Sequence, residues 1–60
     1  MEEIFDRKLL AGYLKVELKT VEYLADLKRL PHFKVGRHIR FRRSAIEEWA
    51  KNNEIYPEKS

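Results

Sequence analysis

The chain has 60 residues and a formal net charge of +3 at pH 7, a length that suffices for one domain with a thin core. It has no cysteine, which excludes disulfide bonds and thiolate metal sites. No apolar run approaches the ~20 residues of a membrane span and no signal-peptide pattern opens the chain, so we expect a soluble protein of the cytoplasm. Basic side chains are concentrated from Lys28 to Arg43, where seven occur without any acid, while the remaining residues hold six basic and ten acidic side chains.

The first predicted helix runs from about Arg7 to Leu14. Asp6 is a good N-cap, and Phe5 and Leu10 have the spacing of a hydrophobic staple. The residues Met1 to Ile4 show no pattern, and we expect them to be loose. The inward side of the helix should consist of Leu10, Tyr13 and Leu14.

A tight turn at Lys15-Val16-Glu17 should join this helix to a second one. We expect the small residues Ala11 and Gly12 to allow a close crossing of the two helices, with a merely tolerated glycine as the alternative explanation of Gly12. Val16 is expected to pack between the helices. Glu17 is a poor N-cap, although an acid at a helix start is favourable to the helix dipole.

The second helix should extend from Leu18 to about Lys28, because apolar residues recur there at helical spacing. Its inward face is predicted to consist of Leu18, Val21, Leu24 and Ala25, with Leu24 at the centre. Its outward face is predicted to consist of Lys19, Glu22, Tyr23 and Asp26. Pro31 requires the helix to end earlier, between Leu27 and Arg29.

A β-hairpin is predicted from His32 to Arg42, since the spacing of apolar residues changes to two. A two-residue loop at Gly36-Arg37 would pair Lys34 with Ile39, whereas a three-residue loop would pair Val35 with Ile39. The second register keeps every apolar side chain on the core side, and we therefore prefer it.

A third helix should begin at Ser44, where Ser44 and Glu47 have the spacing of a capping box. Ile46, Trp49 and Ala50 form its inward side, and Trp49 is expected to be a packing anchor. The helix should end at Asn52-Asn53. The chain is then a single domain over residues 1–60, with a core of about 5–52 and a tail, 53–60, whose Ile55 and Tyr56 fold back or meet a partner.

Few residues have a pattern that suits catalysis. Ser44 is better explained as a cap than as a nucleophile, and the adjacent Glu47 and Glu48 point about 100° apart on a helix. His32 and His38 lack a nearby carboxylate or thiolate, which makes a metal site improbable. No glycine-rich phosphate loop is present. We therefore expect a non-enzyme with no cofactor and no metal.

A basic run without interleaved acids favours a polyanionic partner, and nucleic acid is the commonest. Helix, turn, helix and a basic hairpin suit duplex DNA, because a helix can enter the major groove while arginines of the hairpin contact phosphates. Two alternatives stay open. One is a non-specific architectural DNA-binding protein, and the other is a protein-interaction module that binds an acidic partner.

The sequence also resembles a known family, the excisionase-type small winged helix-turn-helix domains, which are relatives of the DNA-binding part of MerR-like regulators. The most specific matching residues are Leu30-Pro31, Lys34 to Arg37, Arg40 to Arg42 and the segment from Ala45 to Trp49. The similarity spans about Phe5 to Lys51. Two positions depart from the family pattern. Glu17 stands where the family usually has a capping serine or threonine, and Lys28 stands where the family often has a glycine.

The resemblance implies a small α+β, mainly α, winged helix-turn-helix that binds double-stranded DNA. It implies a role as an excisionase, meaning a recombination directionality factor, or as a phage- or plasmid-type transcription regulator. Lys19, Thr20 and Tyr23 would fall on the recognition helix, and Arg37 and Arg40 on the wing. The full set of candidate DNA-binding residues is Lys19, Thr20, Glu22, Tyr23, Lys28, Lys34, Arg37, His38, Arg40, Arg42 and Arg43.

The expected partners are double-stranded DNA and either an integrase or further copies of the chain on adjacent sites. No long helix with a heptad pattern follows Trp49, so we expect the free protein to be a monomer. Its place would be the cytoplasm, in association with the nucleoid.

Overall fold

The computed structural model describes residues 1–57, in which three helices accompany a three-stranded antiparallel sheet of order β1-β3-β2. The elements in chain order are β1 (Ile4–Phe5), α1 (Arg7–Leu14), α2 (Leu18–Asp26), β2 (Phe33–Val35), β3 (His38–Arg42) and α3 (Arg43–Asn52). The architecture is a small winged helix-turn-helix, as the sequence predicts, with β2 and β3 as the wing.

One hydrophobic core holds these elements together. Its buried residues are Phe5, Leu10, Ala11, Val21, Ala25, Leu30, Phe41 and Ile46. Leu14, Leu24, Ile39 and Trp49 pack against the edge of this cluster. Every element except β2 contributes a buried side chain, so the wing's outer strand lies beside the core rather than over it.

The predicted helix faces are confirmed at Leu10, Val21 and Ala25 and are wrong at two positions. Tyr13 and Leu18 are exposed. Tyr13 instead stacks on Phe5 at the surface, with ring centroids 4.9 Å apart. Leu24 is only half buried, and Val21 is the fully buried residue of α2.

The predicted roles of Gly12 and Val16 are also wrong. Gly12 is exposed, and no heavy atom outside its own helix backbone lies within 4 Å of the place that a Cβ would occupy. Val16 is exposed as well. The small residue that is buried on α1 is the neighbouring Ala11, because the helical turn directs position 11, and not 12, toward the core.

Helices α1 and α2 both end with a lysine in the left-handed region, Lys15 at φ 58° and Lys28 at φ 57°. After α2, the Lys28 N–H donates to the Ala25 carbonyl and the Arg29 N–H donates to the Leu24 carbonyl, each at 3.0 Å. Lys15 and Val16 donate in the same pattern to Gly12 and Ala11. This is the Schellman motif, in which glycine is favoured. The family's glycine near position 28 therefore has a physical reason here, since this backbone strains a side chain.

The N-terminal segment is ordered into the sheet, and the expectation of loose residues before Phe5 is wrong. Ile4 pairs with Arg42 and Phe5 pairs with Phe41. Beyond the strand, the Arg43 N–H donates to the Glu3 carbonyl at 3.0 Å. A two-residue strand is too short for alternation to be visible in a sequence.

The hairpin adopts the two-residue loop, so the preferred register is wrong. Val35 pairs with His38, Lys34 with Ile39 and Phe33 with Arg40. Gly36 has φ +63° and Arg37 does not have a positive φ, the pattern of a type II′ turn with glycine at its first central position. The core does not force the other register, because Val35 remains 56% exposed.

The start of α3 differs from the predicted capping box. The helix begins at Arg43, one residue before the proposed cap, and the Ser44 N–H donates to Oε2 of Glu2 at 2.7 Å. Glu47 accepts from Nε of Arg43 instead of from a backbone N–H. The N-terminal segment thus supplies the carboxylate that caps α3, a contact between distant positions that local spacing does not reveal.

Trp49 and the end of α3 agree with the prediction. The indole packs on the core, and its Nε1 donates to the Arg29 carbonyl at 2.6 Å, which ties α3 to the segment after α2. The helix ends at Asn52, and Nδ2 of Asn53 donates to the Trp49 carbonyl.

Beyond α3, Ile55 and Tyr56 are exposed and do not fold back on the domain. The part of the predicted tail at positions 58–60 lies outside the described residues.

Candidate nucleic-acid interface

The outward face of α2 begins with three neighbouring side chains, Lys19, Thr20 and Tyr23. They line a shallow, mostly apolar depression on the first two turns of the helix. Tyr23 is 63% exposed, and Thr20 is partly buried. Nζ of Lys19 lies 3.9 Å from Glu17, a loose ion pair between two exposed side chains. These groups are therefore free to meet a ligand.

Glu22 lies on the same helix but is already engaged. Its Oε2 accepts from the Arg7 guanidinium of α1 at 2.9 Å, and both side chains are partly exposed. The pair neutralises an acid on the face that also carries Lys19 and Tyr23. Exposed pairs of this kind contribute only about 0–1 kcal/mol to stability, so Arg7 serves mainly to cancel a charge.

The wing presents basic side chains along its length. Lys34, Arg37 and His38 surround the turn and are exposed, and within residues 1–57 no ion pair engages them. Opposite partners in an antiparallel pair point to the same side, so Phe33, Val35, His38 and Arg40 share one face. The wing is therefore basic and apolar on that face.

Two wing arginines have defined positions. Arg40 is partly buried and donates to the Ile39 carbonyl at 2.8 Å. The Arg42 guanidinium lies 5.6 Å from the centre of the Phe33 ring, a cation–π contact. Both contacts limit the freedom of long side chains, so that less conformational entropy is lost when a ligand binds.

The wing and the start of α2 border the same groove. This groove has a volume of about 260 Å³ and is lined by Asp6, Arg7, Lys8, Leu18, His38 and Arg40. Leu18 opens α2, whereas His38 and Arg40 belong to β3. The first residue of α2 and two residues of the wing thus line one groove.

Arg7 and Lys8 line the groove but are not among the residues predicted from the sequence, whose basic candidates were Lys19 and members of the run from Lys28 to Arg43. Their signal is the position directly after the cap Asp6. Because β1 pairs with β3, the first turn of α1 is brought beside the wing. That juxtaposition depends on a strand that the sequence did not indicate.

Two candidate residues stand apart from this surface. Arg43 donates to Glu3 at 3.0 Å and to Glu47 at 3.1 Å, and its guanidinium lies 5.8 Å from the centre of the Tyr13 ring. The hydrogen bonds to Glu47 and Glu3 raise the pKa of Arg43, which keeps it charged. Lys28 is exposed at the far end of α2, in the left-handed residue that closes the helix.

The described residues include neither a cluster of metal ligands nor a membrane-spanning helix. Within residues 1–57, no three His, Asp or Glu side chains are grouped so that they could hold a metal ion. Over the same residues, none of the helices has both the length and the apolar character needed to cross a bilayer.

A comparison with protein families matches the chain to the excisionase-type family described as "Helix-turn-helix domain", over residues 10–54. The chain belongs to this family. The matched part of this helix-turn-helix domain runs from α1 to the residues just after α3 and includes the whole α2 and wing surface. Comparisons with curated proteins and with solved structures give no match.

Membership indicates DNA binding and agrees with the three-helix, three-strand architecture. Helix-turn-helix domains of this kind are typically non-enzymatic. In this domain, the second helix of the motif is α2, the element whose outward face is open.

Proposed function

We propose that this domain binds double-stranded DNA in a sequence-specific manner, with α2 in the major groove and the β2–β3 wing along the adjacent backbone or minor groove. The observation that carries the proposal is that α2, whose outward face is open, shares a groove at its first residue with a wing whose Lys34 and Arg37 form no ion pair within residues 1–57. The major groove admits an α-helix and displays a distinct pattern for each base pair.

The residues would divide into two kinds of contact. Lys19, Thr20 and Tyr23 would meet base edges, because they form the exposed start of α2. The wing would bind phosphates or groove edges through Lys34, Arg37, His38, Arg40 and Arg42. Lys8 joins this second set, since it lines the groove between α1 and the wing.

Three of the candidate residues take other positions in the proposal. Arg43 would hold the N-terminal segment on α3 rather than bind DNA, because Glu3 and Glu47 occupy its donors. Glu22 would remain paired with Arg7, which removes a charge that would repel phosphate. Lys28, exposed beyond the end of α2, would contact a phosphate of the DNA backbone.

In the cell, the domain would act on nucleoid DNA in the cytoplasm, as an excisionase or as a phage- or plasmid-type transcription regulator. An integrase or further copies on adjacent sites would be its protein partners. Both roles use the same DNA contacts, and the exposed Ile55 and Tyr56 offer a place for a protein contact outside them.

Selection of bound sequences from a random duplex pool tests the proposal. We expect enrichment of one short motif and a salt-dependent affinity for it. Equal competition by unrelated duplex DNA would favour an architectural protein. Complete absence of salt-sensitive DNA binding would favour a module for acidic proteins instead.

Variants of the two surfaces refine this test. Tyr23→Ala and Lys19→Ala should change the enriched motif, whereas Arg37→Ala should weaken binding to all duplexes alike. Asp26→Asn is a matched control on α2, because Asp26 is exposed one turn beyond Glu22 and lines neither the depression nor the groove. It should leave the enriched motif unchanged.

A further inference from the structure

The depression on α2 differs in character from the surface around it. Its three lining residues are a lysine, a threonine and a tyrosine, yet the surface that they expose inside it is mostly apolar. Threonine contributes a methyl group, tyrosine the face of its ring, and lysine its aliphatic stem. The helix proposed to enter the major groove therefore carries an apolar site whose lining side chains also bear an ammonium and two hydroxyl groups.

The major groove offers few apolar groups. Of the four bases, only thymine presents a methyl group on that side, its C5-methyl beside the O4 acceptor. An apolar depression on a helix in the major groove therefore has one matching base feature. Contacts of threonine methyls and aromatic rings with this methyl group are chemically favourable.

We propose that the depression formed by Thr20, Tyr23 and the Lys19 stem receives the C5-methyl group of a thymine and makes that base a required position of the DNA site. This inference rests on the proposed function and adds which base feature α2 reads. The Tyr23 hydroxyl and the Lys19 ammonium lie outside the apolar contact and would meet polar atoms of the groove.

The positions of the side chains support this assignment. Thr20 and Tyr23 are three residues apart, and Lys19 and Tyr23 are four apart, so all three meet on one side of the helix. Thr20 is partly buried, whereas Lys19 and Tyr23 are exposed. Tyr23 is exposed enough for its ring to cover a methyl group that enters from solvent.

Deoxyuridine provides the direct test, because it pairs as thymine does and lacks only the methyl group. Each thymine of the selected motif is replaced in turn by deoxyuridine, and the Kd of the native protein is measured by titration. We expect one thymine, or one on each strand, to lose about three- to tenfold in affinity when its methyl is removed. Replacement of thymines outside the motif should change nothing.

Protein variants link that loss to the depression. Thr20→Ser removes the side-chain methyl and keeps the hydroxyl, and Tyr23→Ala removes the ring. The deoxyuridine penalty is the Kd for DNA with deoxyuridine divided by the Kd for DNA with thymine at the same position. In both variants this ratio should fall toward one, as expected for groups that interact directly. Tyr23→Phe keeps the ring and should retain the penalty, which makes it the matched control.

The outcomes separate this inference from the function on which it rests. A reproducible motif that contains no fixed thymine, or that tolerates deoxyuridine at every position, overturns the thymine assignment and leaves sequence-specific binding in place. A penalty that persists unchanged in both Thr20→Ser and Tyr23→Ala also overturns it. Failure to select any motif overturns both proposals together.

Discussion

At the scale of single residues, the stability of the domain depends on how completely each side chain is buried. Leu10 is fully buried, whereas Leu24, on the facing helix, is half buried at the core edge. We predict that Leu10→Ala costs ~2–5 kcal/mol of unfolding free energy and that Leu24→Ala costs less. Urea denaturation of the two variants measures this directly, and equal losses would contradict the observed core.

The size of that loss has a consequence for such a small protein. Domains have total stabilities of about 5–15 kcal/mol, and one of this length belongs near the lower end. Leu10→Ala is therefore expected to leave a substantial unfolded fraction at 37 °C, visible by circular dichroism.

Lys28 illustrates a residue whose backbone, and not its contacts, determines its effect. At φ 57° a residue with a side chain is strained by about 1–2 kcal/mol relative to glycine. Glycine removes this strain, but it loses more backbone entropy on folding, which offsets part of the gain. We predict that Lys28→Gly stabilises the domain by about 0.5–1 kcal/mol. Lys28→Ala retains the Cβ, and its melting temperature should not rise; a comparable gain in that variant would assign the effect to charge.

At the scale of elements, α3 depends on the segment before β1 for its cap. Hydrogen bonds from the Ser44 side chain and backbone to the Glu2 carboxylate lower the pKa of Glu2. A group with a lowered pKa stabilises the fold above its unfolded value, and that stabilisation is lost as the pH falls through the folded pKa. Glu2→Gln should therefore be less stable than the parent at neutral pH.

The pH profile distinguishes this cap from a general effect of the substitution. The difference between Glu2→Gln and the parent should begin to narrow as the pH falls below the ordinary pKa of a glutamate, about 4.3. It should disappear only below the lowered pKa of Glu2, where the carboxyl group is neutral in the folded protein as well. Melting curves from pH 3 to pH 7 measure it. A difference that is constant over this range would contradict a role for the charged carboxylate.

The wing gives a prediction about binding rather than folding. Arg37 is exposed at the turn without an ion pair among residues 1–57. We expect Arg37→Ala to weaken all duplexes similarly and to flatten the log-log salt dependence by about one unit. Titrations at several salt concentrations measure this slope. Arg43→Ala is the informative comparison, since its donors bind Glu3 and Glu47, and its salt slope should stay close to that of the parent.

The elements also show what the amino-acid pattern can predict. The helices, both wing strands and the closing role of Trp49 follow from local periodicity, and the structure agrees. The hairpin register does not follow, because the rule that apolar faces are buried fails where Val35 stays exposed. The capping of Ser44 by Glu2 depends on a contact across 42 positions, which no local spacing encodes. Among the candidate site residues, spacing identified the face of α2, but only the sheet brings Lys8 beside the wing.

At the scale of the whole molecule, the surface proposed to bind DNA belongs to a single small module. Single modules bury about 600–1,000 Å² on DNA, and about five phosphate contacts give a salt slope near −4.5, or a several-hundredfold loss of affinity from 50 to 200 mM salt. We predict that the free protein is a monomer and that a second adjacent site, or an integrase, raises its affinity at cellular salt.

Sedimentation of the free protein and titration of DNA carrying one or two sites check this prediction. The expected result is a monomer whose affinity per site is higher on the two-site DNA. Ile55→Ser with Tyr56→Ser is a suitable variant, since both side chains are exposed beyond α3, and it should reduce only a protein-mediated gain. A stable dimer without DNA, or equal affinity per site with no partner, would contradict the prediction.

The contacts of Glu2 and Glu3 with the start of α3 also determine how the protein is made. The contact of Glu3 with Arg43 spans 40 positions and that of Glu2 with Ser44 spans 42. The Ile4–Phe5 strand likewise has no pairing partner until β3 has been synthesised. A nascent chain on the ribosome therefore cannot close this sheet or cap α3 until residues 1–44 have emerged. Copies released early lack these contacts, and we expect cellular proteases to remove them before they compete with intact protein for DNA.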